Sequence, residues 1–157
     1  MTQLTRREFV LGAALLPIVA AGAQAQAMPI MKVSKDPNCG CCDGWVAHLR
    51  ANGFSVDVTE TADMDRIKTS LGVPEPLRSC HTGEIAGYVV EGHVPVAAIQ
   101  RLLAERPSVI GLAVPGMPAS SPGMDVPGAA DVYDVMLFSP SVQKRYARYR
   151  GLREVPN

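Results

Sequence analysis

An α/β fold is predicted by three features of the sequence: apolar spacing that switches between strand-like and helical, glycine and proline at each switch, and a β-α-β-α-β-β-α order of segments. Pro29 to Ser34 carries Ile30, Met31 and Val33, a short apolar run that reads as a buried strand. Asp36-Pro37-Asn38 breaks it, and from Cys41 to Arg50 the residues Trp45, Val46 and Leu49 recur at helical spacing. Asn52-Gly53 ends this helix, because glycine supplies the left-handed cap. Phe54, Val56 and Val58 alternate with polar neighbours as a half-buried strand does. A second helix is expected from Met64 to Leu71, stopped by Gly72 and Pro74. Ser79 to Val94 reads as a hairpin, with Cys80-His81-Thr82 as one strand, Gly83-Glu84 at the turn and Ile85 to Val90 as the other. Pro95 suits the first turn of a third helix running to Glu105, with Ile99, Leu102 and Leu103 as its apolar stripe. This order is the thioredoxin-like arrangement, a central mixed sheet with flanking helices.

From Gly111 to Gly128 the chain is rich in glycine, proline and serine, and Pro115 to Met124 suits neither a helix nor a central strand, so a loop is expected. Tyr133 to Phe138 returns as a strand and Ser139-Pro140-Ser141 as a turn, while Gln143 to Arg150 reads either as a pairing strand or as a frayed tail. The sequence therefore divides into residues 1–27, a thioredoxin-like domain over 28–128, and a C-terminal strand or tail extension over 129–157.

The first segment reads as an export signal. Thr5-Arg6-Arg7-Glu8-Phe9 precedes an apolar run from Val10 to Ala23 that is short for a membrane span, and Ala23 to Ala27 offers overlapping small-x-small cleavage sites. The paired arginines, with their Thr and Phe neighbours, fit the twin-arginine route, which exports folded proteins. The expected location is the periplasm. Removing Arg6, Arg7 and Glu8 leaves 13 basic and 14 acidic residues, a near-neutral chain of one-domain length with no electrostatic reason to bind nucleic acid and no second apolar run to anchor it in a membrane.

All four cysteines lie beyond the signal, and an exported protein normally oxidises an even set into staples. Cys39, Cys41 and Cys42 crowd into four positions and leave only Cys80 at a distance, so two long-range staples are excluded. A cluster this dense serves metal or redox chemistry. It sits between the first strand and the first helix, where the helix dipole favours thiolate, the form that binds metal or attacks a disulfide. The Cys39/Cys42 pair alone matches a redox Cys-x-x-Cys turn, but a third thiol at Cys41 invites scrambling in an oxidoreductase and gives a metal cluster another bridging sulfur. In a thioredoxin-like fold Cys80, opening the strand after the second helix, lies against that turn. Met117 and Met124 lie on the expected loop and not on an apolar face, and thioether together with thiolate ligands favour Cu(I) over zinc, which remains the lesser alternative. His93, at the expected helix start, is the favoured imidazole ligand, because strand alternation turns His81 away from Cys80.

Cys39-Gly40-Cys41-Cys42, Ser79-Cys80-His81-Thr82, Gly87-Tyr88 with Glu91-Gly92-His93-Val94-Pro95, and Pro115-Gly116-Met117-Pro118 with Ser121-Pro122-Gly123-Met124 resemble the CopG-like family of bacterial periplasmic proteins, long catalogued as a domain of unknown function. The likeness runs from about Met31 to Asp125. It implies a thioredoxin-like fold, copper resistance, a copper cluster held by the cysteines, and interconversion of Cu(I) and Cu(II). The expected partners are copper ions, more than one per chain, and other periplasmic copper-handling proteins. Two rival readings stand beside this one: a thiol-disulfide oxidoreductase using Cys39 and Cys42, and a zinc-stabilised module.

Overall fold

The computed structural model describes residues 28–124 and 126–156; the expected export signal at 1–27 lies outside the described residues. The chain forms a mixed α/β structure with β1 Met31–Lys35, α1 Gly40–Ala51, β2 Val56–Glu60, α2 Met64–Ser70, β3 His81–Ile85, β4 Tyr88–Glu91, α3 Val96–Glu105, β5 Gly111–Ala113, β6 Val132–Ser139, β7 Val142–Arg150 and β8 Arg153–Glu154. A short 3-10 turn at Glu75–Leu77 follows α2. All eight strands share one sheet, in the order β2-β1-β3-β4-β5-β6-β7-β8. β1 runs parallel to β2 and β4 parallel to β5, and every other pairing is antiparallel. Among the described residues no helix is long and apolar enough to cross a membrane.

The helices form where the apolar spacing places them. Cys42, Trp45, Val46 and Leu49 are the buried residues of α1, one stripe of a 3.6-residue period, and Gly53 beyond its end is left-handed at φ 84° as expected. α3 buries Val96, Ala98, Ile99 and Leu102. Both helices lie on one face of the sheet, in a core with Val33, Val90 and Leu112. A second cluster joins Val73 and Leu77, beyond α2, to Val89, Ala113 and Phe138. Neighbouring residues of β4 and β5 thus serve opposite faces, as the two-residue period of a strand requires.

Two expectations are corrected. The hairpin turn is Ala86-Gly87, at φ 50° and 86°, and not Gly83-Glu84, which lies inside β3. Gly83 serves packing instead: a side chain there would meet Met31 Sδ at 2.8 Å and Trp45 at 3.4 Å. The glycine-rich stretch from Gly111 opens with β5, inserted between β4 and β6, because Gly111 lets the chain approach the Val89 backbone too closely for any Cβ. Of the two readings of the C-terminal segment, the pairing strand holds: β7 pairs with β6 along Val142 to Arg150, with an irregularity at Val135/Met136. The loop of interest runs from Val114 to the residues before β6, and its Gly123 lies against α1.

Candidate metal centre

Cys39 precedes α1 and Cys41 and Cys42 fall in its first turn, so the local helix gathers three sulfurs at one point. Cys39 and Cys42 are joined in a disulfide. Cys41 and Cys80 are free, with Cys41 Sγ 3.5 Å from Cys39 Sγ and 4.0 Å from Cys80 Sγ. The four sulfurs lie within 4.8 Å of one another, the convergence expected of Cys80. Cys80 reaches them because it stands just before β3, at the end of the sheet where β1 delivers the chain into α1.

A second set of donors meets the first at Cys80. Its Sγ is 3.1 Å from His93 Nε2 and 3.2 Å from His81 Nδ1, and these three groups also lie within 4.8 Å. Placing His81 away from Cys80 by strand alternation is therefore corrected: Cys80 precedes the first paired residue of β3, and the alternation rule does not reach it. His81 packs against Trp45 with ring centres 4.3 Å apart and planes tilted by 34°, and meets His93 edge-on at 4.9 Å. Trp45 is itself fixed, donating its indole N–H to the Val94 carbonyl at 2.9 Å.

The loop supplies the orientation of His93. Pro122 offers its carbonyl to His93 Nδ1 at 2.8 Å, and a carbonyl can only accept, so Nδ1 carries the proton and the neutral ring turns a lone pair on Nε2 toward Cys80. Burial lowers the His93 pKa, although the Pro122 hydrogen bond opposes it, and burial lowers that of His81 well below the usual value, with the neighbouring His93 next in effect. Both rings are thus kept neutral, the form that can ligate a metal. Burial pushes the Cys80 thiol up to about 12, reinforced by the charge of Cys41. A soft cation bound here would take the place of that proton, so loading would release it to solvent.

Met117 and Met124 lie on the same loop. Met117 is 55 % exposed and Met124 half-buried. Between β5 and these residues, Gly116 accepts from the Ser79 hydroxyl and donates its N–H to the Arg78 carbonyl at 3.3 Å, which ties the loop to the residue before Cys80. Sequence reasoning passed over Ser79 and Glu91, whose carboxylate accepts the Ser79 N–H at 2.6 Å. The available signal was that Ser79 adjoins Cys80 and that Glu91 lies two residues before His93. Two thiols, a disulfide that reduction opens to two more, and two neutral imidazoles make a donor set suited to a soft or borderline ion.

Comparison with known proteins agrees in kind. A family model described as a protein of unknown function, DUF411, matches residues 77–124, which contain Cys80, both histidines and the methionine loop. A solved structure titled copper resistance protein copG, Form 1, is 48 % identical, covers 78 % of this chain and 99 % of its own, and superposes with a TM-score of 0.73. A second, titled copper resistance protein copG, Form 2, is 45 % identical, covering 82 % and 99 %, with a TM-score of 0.72. No curated protein matches the chain.

Proposed function

We infer that this chain, which belongs to the family of copper resistance protein copG, is a periplasmic copper-binding protein that holds Cu(I) in a thiolate cluster for copper resistance or handling. The observation that carries the reading is the convergence of four cysteine sulfurs within 4.8 Å at one end of the sheet. Cys39, Cys41, Cys42 and Cys80 would hold the ions as thiolates once the disulfide is reduced, with His93 as the imidazole ligand and Met117 and Met124 as thioethers from the loop. Four thiolates exceed the needs of one low-coordinate Cu(I), so more than one ion per chain is expected. The export signal at residues 1–27, the twin-arginine route, the metal-binding unit at 28–128 and the extension at 129–157 belong to this reading. So does the thioredoxin-like assignment, supported by the β2-β1-β3-β4 order, with β3 alone antiparallel to β1 and α1 starting at the cysteines.

Interconversion of Cu(I) and Cu(II) follows from the same parts. The Cys39/Cys42 dithiol can give two electrons to two Cu(II), forming the disulfide and two Cu(I) and releasing two protons, and two equivalents of an external thiol, leaving as their own disulfide, would restore the dithiol. The disulfide also favours a second reading, thiol-disulfide exchange with Cys39 as nucleophile and Cys42 as resolving thiol. Metal analysis of the mature chain, purified without oxygen and with its thiols intact, tests the first. Copper bound in preference to zinc is the expected result, and stoichiometric zinc that copper fails to displace would overturn it.

A further inference from the structure

Behind the sulfurs lies a buried ion pair whose cost needs a reason. Lys68 of α2 and Glu91 at the end of β4 have side chains 4 % and 0 % exposed, with Nζ 2.6 Å from Oε1. Burying two charges is expensive, and apolar residues of similar volume often serve stability as well or better. The pair is completed by Thr82 of β3, which accepts from Lys68 Nζ at 2.9 Å and donates to Glu91 Oε2 at 2.7 Å. What the carboxylate does beyond this ring is accept the Ser79 N–H at 2.6 Å. No hydrocarbon can do that.

That hydrogen bond ties Ser79, just before β3, to the end of β4, beyond the ladder that pairs the two strands. Ser79 precedes Cys80, and Glu91 stands two residues before His93. Gly92, between them, donates to the His81 carbonyl at 3.0 Å and is left-handed at φ 71°. A Cβ on Gly92 would fall 2.6 Å from Ser79 Cβ and Oγ, so the approach of the two segments depends on its being glycine. Cys80 is thus fixed from the sheet side by Glu91 and from the loop side by the contact of Ser79 with Gly116.

Resting on the copper reading above, we propose that Glu91, neutralised by Lys68 and steadied by Thr82, is a positioning residue that sets Cys80 against His93 for metal. Lys68 is present because the carboxylate cannot be buried alone, and the carboxylate is present because Ser79 needs an acceptor. The ring contributes to the geometry of the site and not to the net stability of the fold.

Two double variants separate these roles. K68M/E91Q removes both charges but leaves a carbonyl oxygen to accept the Ser79 N–H, whereas K68M/E91L removes the charges and the acceptor at nearly constant volume. Both are expected to fold. Against a competing chelator, K68M/E91Q should retain Cu(I) nearly as wild type does, while K68M/E91L should lose about tenfold or more and shift the ultraviolet thiolate-to-copper band. Equal retention and equal spectra in the two doubles would overturn the proposal. A copper-free measurement decides the matter if the wild-type chain itself retains no copper, a result that would count against the copper reading and not against this one. The alkylation rate of Cys80 by iodoacetamide should differ between the doubles, with K68M/E91Q matching wild type, and identical rates would again overturn the positioning role.

Discussion

Replacing Gly123 by alanine should damage both the fold and the metal centre, and the structure says by how much. Gly123 is left-handed at φ 84°, and a Cβ there would lie 2.2 Å from the Trp45 backbone nitrogen and 2.6 Å from the Gly44 carbonyl carbon. The neighbours are backbone of α1, so no side chain can swing aside. Left-handed geometry costs an alanine about 1–2 kcal/mol. Forced overlap adds about 1–3 kcal/mol, unless the loop lifts from α1. Lifting carries the Pro122 carbonyl away from His93 Nδ1 and frees the ring to turn. Gly128→Ala is the control: Gly128 is also left-handed, at φ 74°, but nothing lies within 4 Å of its Cβ position. At about 4 °C per kcal/mol for a domain of this size, G128A should lower the melting temperature by roughly 4–8 °C and G123A by roughly 8–20 °C. Differential scanning calorimetry on the copper-free protein measures this. Chelator competition should show G123A alone losing Cu(I) affinity, by about tenfold or more, because His93 has lost the partner that fixes its tautomer. The reasoning is refuted if the two variants melt together and G123A holds copper as wild type does.

Cys41→Ser should weaken Cu(I) retention while leaving the Cys39/Cys42 disulfide able to form; insulin reduction that survives in this variant, with copper binding unchanged, would favour the oxidoreductase reading. The double change M117L/M124L should leave the melting temperature of the copper-free chain within what a cost under about 1.5 kcal/mol allows. It should loosen Cu(I) in a chelator assay, and early melting with undiminished binding would make the methionines packing residues. Asp134, held below its ordinary carboxylate value of 3.8 chiefly by its hydrogen bonds from Arg148, stabilises the fold above that value, and the contribution is lost as pH falls through its lowered folded value. D134N should therefore cost up to about 1 kcal/mol at neutral pH, small because the pair is part-exposed. Urea melts across pH should show the gap to wild type closing in acid, and a gap that widens there would contradict this.

The sequence disclosed α1, α2, α3, β1 and β2 to within a residue or two: α1, α3 and β2 by their apolar spacing, β1 by a short apolar run, and α2 by the Gly72 and Pro74 that stop it. It misplaced the β3–β4 turn because a glycine can mark a turn or a close approach: Gly83 makes room for Met31 and Trp45, while the turn uses Ala86 in a left-handed conformation that alanine rarely adopts. It missed β5 because three residues are too few to show a period, and this strand is held by neighbours far away in the chain. In the site, the convergence of Cys80 on the first three cysteines followed from topology and was legible. The approach of His81 was not, since it depends on where β3 begins, and a shift of one residue reverses the direction inferred for a side chain. Nothing in the sequence pattern marks Glu91 as the acceptor for Ser79, because that contact lies across strands and is satisfied by a charge from a third element.

The central claim is that the four sulfurs act together as a Cu(I) site, and titration of the reduced mature chain with Cu(I) under a competing chelator tests it most directly. More than one Cu(I) per chain should bind, and first oxidising Cys39 and Cys42 to the disulfide should sharply reduce that number, because only Cys41 and Cys80 then remain as thiols. Binding of a single ion whose affinity is the same with the disulfide open or closed would contradict the account.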